Sequence, residues 1–254
     1  MMSTTDRRTF FSACAATAAC LAGQRLLAGD DKRPPLKILL FGGDLPAVRK
    51  DLEKKYELEV FTAGQIEGKS GEDNVAGLEQ LEKADVWIGS IHKRTFPSEK
   101  QLEFVRKFLA AGKPFVGYRA ASHAFQNWLE ADKAIWGAKY GGHHLLEKDP
   151  VMVIEPAEGA KEHPIFKGLE IPRPSSGSYF YTELEPDVQV LLRSGIPGDM
   201  MPHTWTRQIA KTGNRVFYTR YDAKELGENA TVREIFLRGL AWALDKKNAD
   251  KERS

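Results

Sequence analysis

Residues 114–125 read Pro-Phe-Val-Gly-Tyr-Arg-Ala-Ala-Ser-His-Ala-Phe, and this stretch predicts the fold. Pro114 to Tyr118 has the composition of a short buried strand, and Arg119-Ala120-Ala121 turns it sharply into a helix. In α/β proteins the carboxyl end of such a strand is where ligands and reactive groups gather. A strand–turn–helix elbow set among small residues is also how these folds expose a nucleophile. Here the elbow position holds Arg119, whose guanidinium cannot attack a substrate. The segment has the build of an enzyme site without the usual reactive atom.

Working outward toward the amino terminus, strands alternate with helices. Leu36–Phe41 is a strand ended by Gly42-Gly43-Asp44, and Pro46–Tyr56 has helical spacing with proline in the first turn. Leu58–Thr62 is a second strand, Val75–Lys83 a short amphipathic helix, and Asp85–Gly89 a third strand. Ser98 caps a helix that carries Leu102, Val105, Phe108 and Leu109 on one face and closes at Gly112. This alternation predicts an α/β fold with a mostly parallel central sheet covered on both sides. Beyond the elbow the pattern is less regular. Gly137–Leu146 reads as a Gly/His-rich loop, Val151–Glu155 as a strand, and His163–Leu169 as a loop or single turn. Val188–Arg193, His203–Arg207 and Val216–Tyr221 are further strands with antiparallel members, and Ile235–Leu244 is a closing amphipathic helix.

The ends of the chain are of a different kind. Arg7-Arg8 precedes an uncharged apolar run over residues 10–22, too short to span a bilayer as a mature helix. Residues 1–29 are expected to be a twin-arginine signal peptide, which places the mature protein in the periplasm or outside the cell. Residues 30–35 form a polar linker, 36–246 one domain, and 247–254 a charged tail. Thr17-Ala18-Ala19-Cys20 lacks the large aliphatic residue of a lipoprotein box, which argues against a lipid anchor at Cys20. Both cysteines, Cys14 and Cys20, lie in this leader, so the domain has no disulfide, thiolate ligand or thiol nucleophile. Removing Arg7, Arg8, Arg25 and Asp6 leaves 37 − 3 = 34 basic and 35 − 1 = 34 acidic residues. A near-neutral domain without a basic stripe argues against a nucleic-acid partner. No membrane span is expected after leader removal, and a homo-oligomer stays open.

Six segments in order carry a resemblance to a known family. They are Phe104–Gly112 with Gly117–Phe125, Gly141-Gly142-His143-His144, His163–Leu169, Pro202–Arg207, Arg215–Thr219, and Gly239–Trp242. Together they resemble the ThuA-like (trehalose utilisation) domains, over about Leu36 to Leu244. That resemblance implies a flavodoxin-like, class I glutamine amidotransferase-like three-layer sandwich. It also implies a link to sugar metabolism, with trehalose-type and oxidised 3-keto disaccharides as the expected small-molecule partners. Two departures stand out: Arg119 replaces the family's usual elbow histidine, and Arg220-Tyr221-Asp222 replaces Leu-Gly-His after the Val-Phe-Tyr strand. In the amidotransferases the elbow residue is a cysteine, so glutaminase chemistry is excluded here.

The candidate site residues each have a plainer alternative. Arg119 can hold an anion or a developing oxyanion, or simply pair with a carboxylate to brace the turn. His123, four residues on, can be a general base, a metal ligand or a packing group. His143 and His144 are the metal candidates, and adjacent histidines rarely point the same way. With His123 and Asp222, one of them would complete a two-His-one-carboxylate set for a divalent ion such as zinc. His203, Trp205 and Arg207 share one strand face: Trp205 offers a surface for a sugar ring and Arg207 a bidentate donor, or Trp205 is core. Tyr179 and Tyr181 share a face in a Ser/Gly-rich loop suited to a binding rim, and Gly43 with Asp44 lies on the same sheet edge as the elbow. His163 is read as a loop-ordering residue. The expected chemistry is proton transfer on a saccharide or keto-sugar, with His123 or Asp222 as base and Arg119 stabilising negative charge. The alternatives are a non-catalytic carbohydrate-binding module that keeps the cleft, and a scaffold without one.

Overall fold

In the computed structural model, residues 34–65, 74–91, 97–144, 152–175 and 177–245 are described; the expected signal peptide, most of the expected linker and the charged tail lie outside them. β1 (Leu36–Phe41) is flanked in parallel by β2 (Leu58–Gln65) and β4 (Val86–Gly89), and β4 by β5 (Phe115–Tyr118). β5 pairs in parallel with β11 (Arg215–Thr219). From β11 the sheet continues antiparallel through β10 (Asp199–Gln208) and β9 (Val188–Ile196) to β7 (Val153–Pro156). At the opposite edge the short β3 (Val75–Ala76) pairs antiparallel with β2. The parallel centre and the antiparallel members follow the expected class.

The strands of the parallel centre are apolar at nearly every position because both faces are buried. Ile38, Leu40, Val86, Ile88, Val116 and Phe217 face α1 (Pro46–Glu53) and α4 (Ala230–Leu244). Leu39, Phe41, Trp87, Phe115, Val216 and Tyr218 face α2 (Glu99–Ala110), through Leu102, Val105 and Phe108. Successive side chains thus enter different cores, which is the period-2 geometry of a strand in a three-layer sandwich. At roughly 1.5–3 kcal/mol for each large apolar side chain buried, the two cores dominate the stabilising side of folding.

Four segments differ from the sequence expectation. Val75–Lys83 is not one helix: β3 is followed by Gly77 at φ 83° and a 3₁₀ turn over Leu78–Glu82. The Gln101 amide takes both backbone groups of Val75, at 2.8 and 2.7 Å, holding that residue extended. Gly137–Leu146 is not a loop up to His143, because β6 (Ala138–His143) pairs antiparallel with β8 (Tyr179–Leu184) as a separate ribbon. The segment of Tyr179 and Tyr181 is accordingly a strand. Its signal was hidden because Gly141 lies under the Phe180 ring, where a Cβ would stand 2.2 Å from a ring carbon. Finally, Asp222 starts a helix of its own, α3 (Ala223–Glu228), through a reciprocal capping box with Glu225.

Candidate functional site

Parallel β1, β4, β5 and β11 end on one rim, and the elbow stands at its middle. Arg119 has φ 47°, the one positive φ of a non-glycine residue among the described residues. A left-handed backbone costs an L-residue about 1–2 kcal/mol, so surrounding contacts must hold it. The Tyr218 hydroxyl, from β11, donates to the Arg119 carbonyl at 2.5 Å. Arg119 then opens a 3₁₀ turn, Arg119–His123, in place of the α-helix expected there.

Tyr179, at the start of β8, organises the side chains around this elbow. The Arg119 guanidinium lies 4.8 Å from its ring centre and Arg220 5.5 Å. The rings of His123 and His143 meet it edge-on at 5.3 and 5.2 Å. His123 also stacks on Tyr140 at 3.9 Å, and its Nδ1 is 3.3 Å from the Ser122 hydroxyl. That hydroxyl is 3.2 Å from the Tyr218 hydroxyl, and Tyr218 and Tyr181 are joined hydroxyl to hydroxyl, also at 3.2 Å. A chain of neutral hydroxyls therefore ends on the imidazole. Burial pushes the Tyr181 phenol up to about 12 and the Tyr218 phenol well above its ordinary range, so both stay protonated.

Arg220 follows β11 and is fully buried. It donates to the Ser178 hydroxyl at 2.6 Å, the Ser194 hydroxyl at 2.9 Å and the Gly177 carbonyl at 2.8 Å. Arg119 donates to the same Gly177 carbonyl at 2.9 Å. Beside them His203 is also fully buried, and burial followed by the Arg220 and Arg119 charges lowers its pKa well below the imidazole range. It is a neutral ring, 2.8 Å from the Thr204 hydroxyl. Next to the Tyr140 backbone, Asp132 sits in a π-turn, Asp132–Trp136. Burial raises its carboxyl to about 7, opposed by the Tyr140 backbone N–H.

The model of one family, described as ThuA, trehalose utilisation, matches residues 46–243. The chain belongs to the ThuA family. That membership carries a carbohydrate-related role, in trehalose utilisation. No curated protein shows a significant sequence match. Among solved structures, a ThuA-like protein of Bacteroides uniformis is similar with TM-score 0.59 and 16% identity, covering 87% of this chain and 96% of that one. Another, from Parabacteroides merdae, has TM-score 0.55 and 18% identity, covering 83% and 90%. At such identities the likeness concerns the fold.

Placed on this ThuA-type fold, the expected site residues separate into groups. Arg119, His123, His143 and Tyr179 come together. Asp222 does not join them: its carboxylate accepts the Glu225 backbone N–H at 2.9 Å as a helix cap. Ala223, the next residue, lines a pocket of about 60 Å³ with Asp44. Asp44 itself accepts from Leu45 N–H at 2.9 Å and pairs with Arg49 at 3.2 Å, while Gly43 beside it supplies φ 141°. Trp205 is core, fully buried, with its indole N–H on the Trp136 carbonyl at 2.8 Å. Arg207 is buried too, tied to Asp187 at 2.7 Å and to the carbonyls of Lys133, Ala134 and Ile135. Tyr181 packs edge-on to Trp205 at 5.2 Å beneath the cluster. His144 turns away from His143, placing Nε2 3.1 Å from the Asp199 carboxylate. Among the described residues no three His, Cys, Asp or Glu side chains are grouped to hold a metal ion, so the set of His123, His143 or His144, and Asp222 is not assembled.

Sequence reading left Arg220, Tyr140, Ser122 and Asp132 out of the site. Arg220 had a signal, since it stands where the family pattern breaks. Asp132 had none: nothing local distinguishes an acid that a π-turn will bury.

Proposed function

We propose that this ThuA-family chain is an exported protein that acts on a saccharide or keto-sugar at the sheet rim by proton transfer. In this reading His123 is the base and the Arg119 guanidinium stabilises negative charge that develops on a sugar oxygen. The observation that carries it is the strained Arg119 elbow, φ 47°, with the Arg119 and His123 side chains gathered on one aromatic ring. Strain of this kind persists where surrounding contacts over-determine it, and it concentrates at working sites. The Ser122 hydroxyl at Nδ1 orients the imidazole, and stacking on Tyr140 limits its rotation. Asp222 is committed to its helix cap, which leaves the base role to His123.

Turnover of trehalose and 3-keto disaccharides by the purified chain tests this. The expected result is measurable product in wild type and a kcat lower by about a hundredfold or more in His123→Gln, with unchanged circular dichroism. Product formation at the wild-type rate in His123→Gln removes the base assignment.

One feature of His123 favours a second reading, a binding module without catalysis. The ring is 5% exposed, lies under Tyr140, and faces a hydroxyl at Nδ1 where an activated base would have a carboxylate. Under that reading a glycan array shows sugar binding in wild type and His123→Gln alike, with no turnover in either.

A further inference from the structure

Arg220 is a cation that the proton-transfer reading leaves unused. It is fully buried, yet the groups it donates to are two serine hydroxyls and a carbonyl, all neutral. No carboxylate among the described residues pairs with it, and its Nε is buried without a hydrogen-bond partner. Burying a guanidinium without an anion is strongly unfavourable unless something else supplies the negative charge. The nearby tyrosines do not supply it, because Tyr181 and Tyr218 are held protonated. His203 adds an orphaned buried Nε2 but no charge. The nearest acids along the chain, Asp222 and Glu225, are closed on each other in the α3 capping box, and Glu225 also receives the Ser175 N–H.

A second cation reinforces the first. Arg119 reaches the same Gly177 carbonyl from the half-buried side of the elbow, and both guanidiniums lie over Tyr179. Two like charges that converge on one carbonyl repel each other, and an oxyanion seated between them reverses that repulsion.

We propose that the elbow binds an oxyanion, so that the sugar this site takes carries an acid group, a carboxylate or a phosphate, gripped by Arg119 with Arg220 as the fixed charge behind it. The proposal rests on the saccharide reading above for the sugar, and on the arginine pair alone for the acid group. Neutral disaccharides are then poorer ligands than sugar acids.

Calorimetric titration of the full chain with glucose, trehalose, glucuronate, glucose 6-phosphate and inorganic phosphate tests it. The expected result is that at least one acid sugar binds about tenfold tighter than glucose. That preference should collapse in about 0.5 M salt and in Arg119→Gln. Glucuronate against glucose 6-phosphate distinguishes the two acid groups. Arg220→Met is expected to abolish the preference as well, and Arg119→Gln, at the half-buried position, carries the test if Arg220→Met does not fold. Binding of glucuronate and of glucose 6-phosphate no tighter than that of glucose overturns the oxyanion site and leaves the saccharide reading standing, as does an acid preference untouched by Arg119→Gln. Phosphate binding that needs Arg119, with no sugar bound, keeps the oxyanion site and overturns the saccharide reading. Absence of binding by every probe overturns both.

Discussion

Arg119 combines two requirements that conflict: its side chain is held by Gly177 and Tyr179, while its backbone, at φ 47°, is one that glycine adopts more readily. Replacing it by alanine removes the side-chain contacts and keeps the strain; replacing it by glycine removes both. Arg119→Gly is therefore expected to be more stable than Arg119→Ala by about 1 kcal/mol in urea denaturation, and equal midpoints would show the φ value to be unstrained. Asp132 makes a second prediction, through pH. Its carboxyl titrates at about 7 in the fold against an ordinary 3.8, so the fold favours the neutral acid. Stability from this group is complete below about pH 4 and is lost as pH rises toward 7, because the unfolded chain releases the proton first. Asparagine still accepts the Tyr140 N–H and carries no charge. Between about pH 5 and pH 8 the wild type should lose on the order of 2 kcal/mol that Asp132→Asn retains. Parallel stability–pH curves for the two proteins would remove the assignment. Arg119 was legible as an elbow from its neighbours in sequence, whereas the burial of Asp132 goes with a ribbon whose second strand, β8, lies some fifty positions further along the chain.

The π-turn Asp132–Trp136 and the ribbon of β6 and β8 build the wall against which His123 rests, and Arg207 holds that wall to the main sheet. Its guanidinium bonds three successive carbonyls at the end of the turn and the Asp187 carboxylate. The Lys133 carbonyl also accepts the Gly137 N–H at 3.1 Å, whereas carbonyls at a helical end otherwise lack partners within the helix. Gly137 makes the approach possible: it takes φ 75° to close the turn, and a Cβ there would stand 2.9 Å from the Arg207 Cδ. Arg207→Met is expected to destabilise the protein by about 3 kcal/mol or more in chemical denaturation, since it strands Asp187 and the carbonyls together. Lysine should not rescue it, having no planar fork to span several acceptors. A loss below about 0.5 kcal/mol would place the anchor elsewhere. The sequence pattern supported a recognition role for Arg207 as readily as this one, because strand periodicity tells which residues share a face and not what that face meets.

Across the whole molecule, the parallel centre was readable before any coordinates. Its strands are short apolar runs separated by amphipathic stretches, and each such run has few ways to bury itself other than inside a layered sheet. The rim was readable for the same reason, since parallel strands ending at Phe41, Gly89 and Tyr118 must end on one side. What local pattern could not supply was the pairing of β6 with β8 and the fate of each polar side chain. β6 carries glycines where a strand normally shows alternation, and its partner lies beyond residues 145–151. Asp222 illustrates the second point: as a residue it is an available base, and three positions later Glu225 turns it into a cap. Arg220 illustrates it in the other direction, a residue that chain position offers to solvent and packing encloses. Hydrophobic periodicity is a local property and selects the layers; charge compensation is set by long-range neighbours, and those exist only once the chain has closed around them.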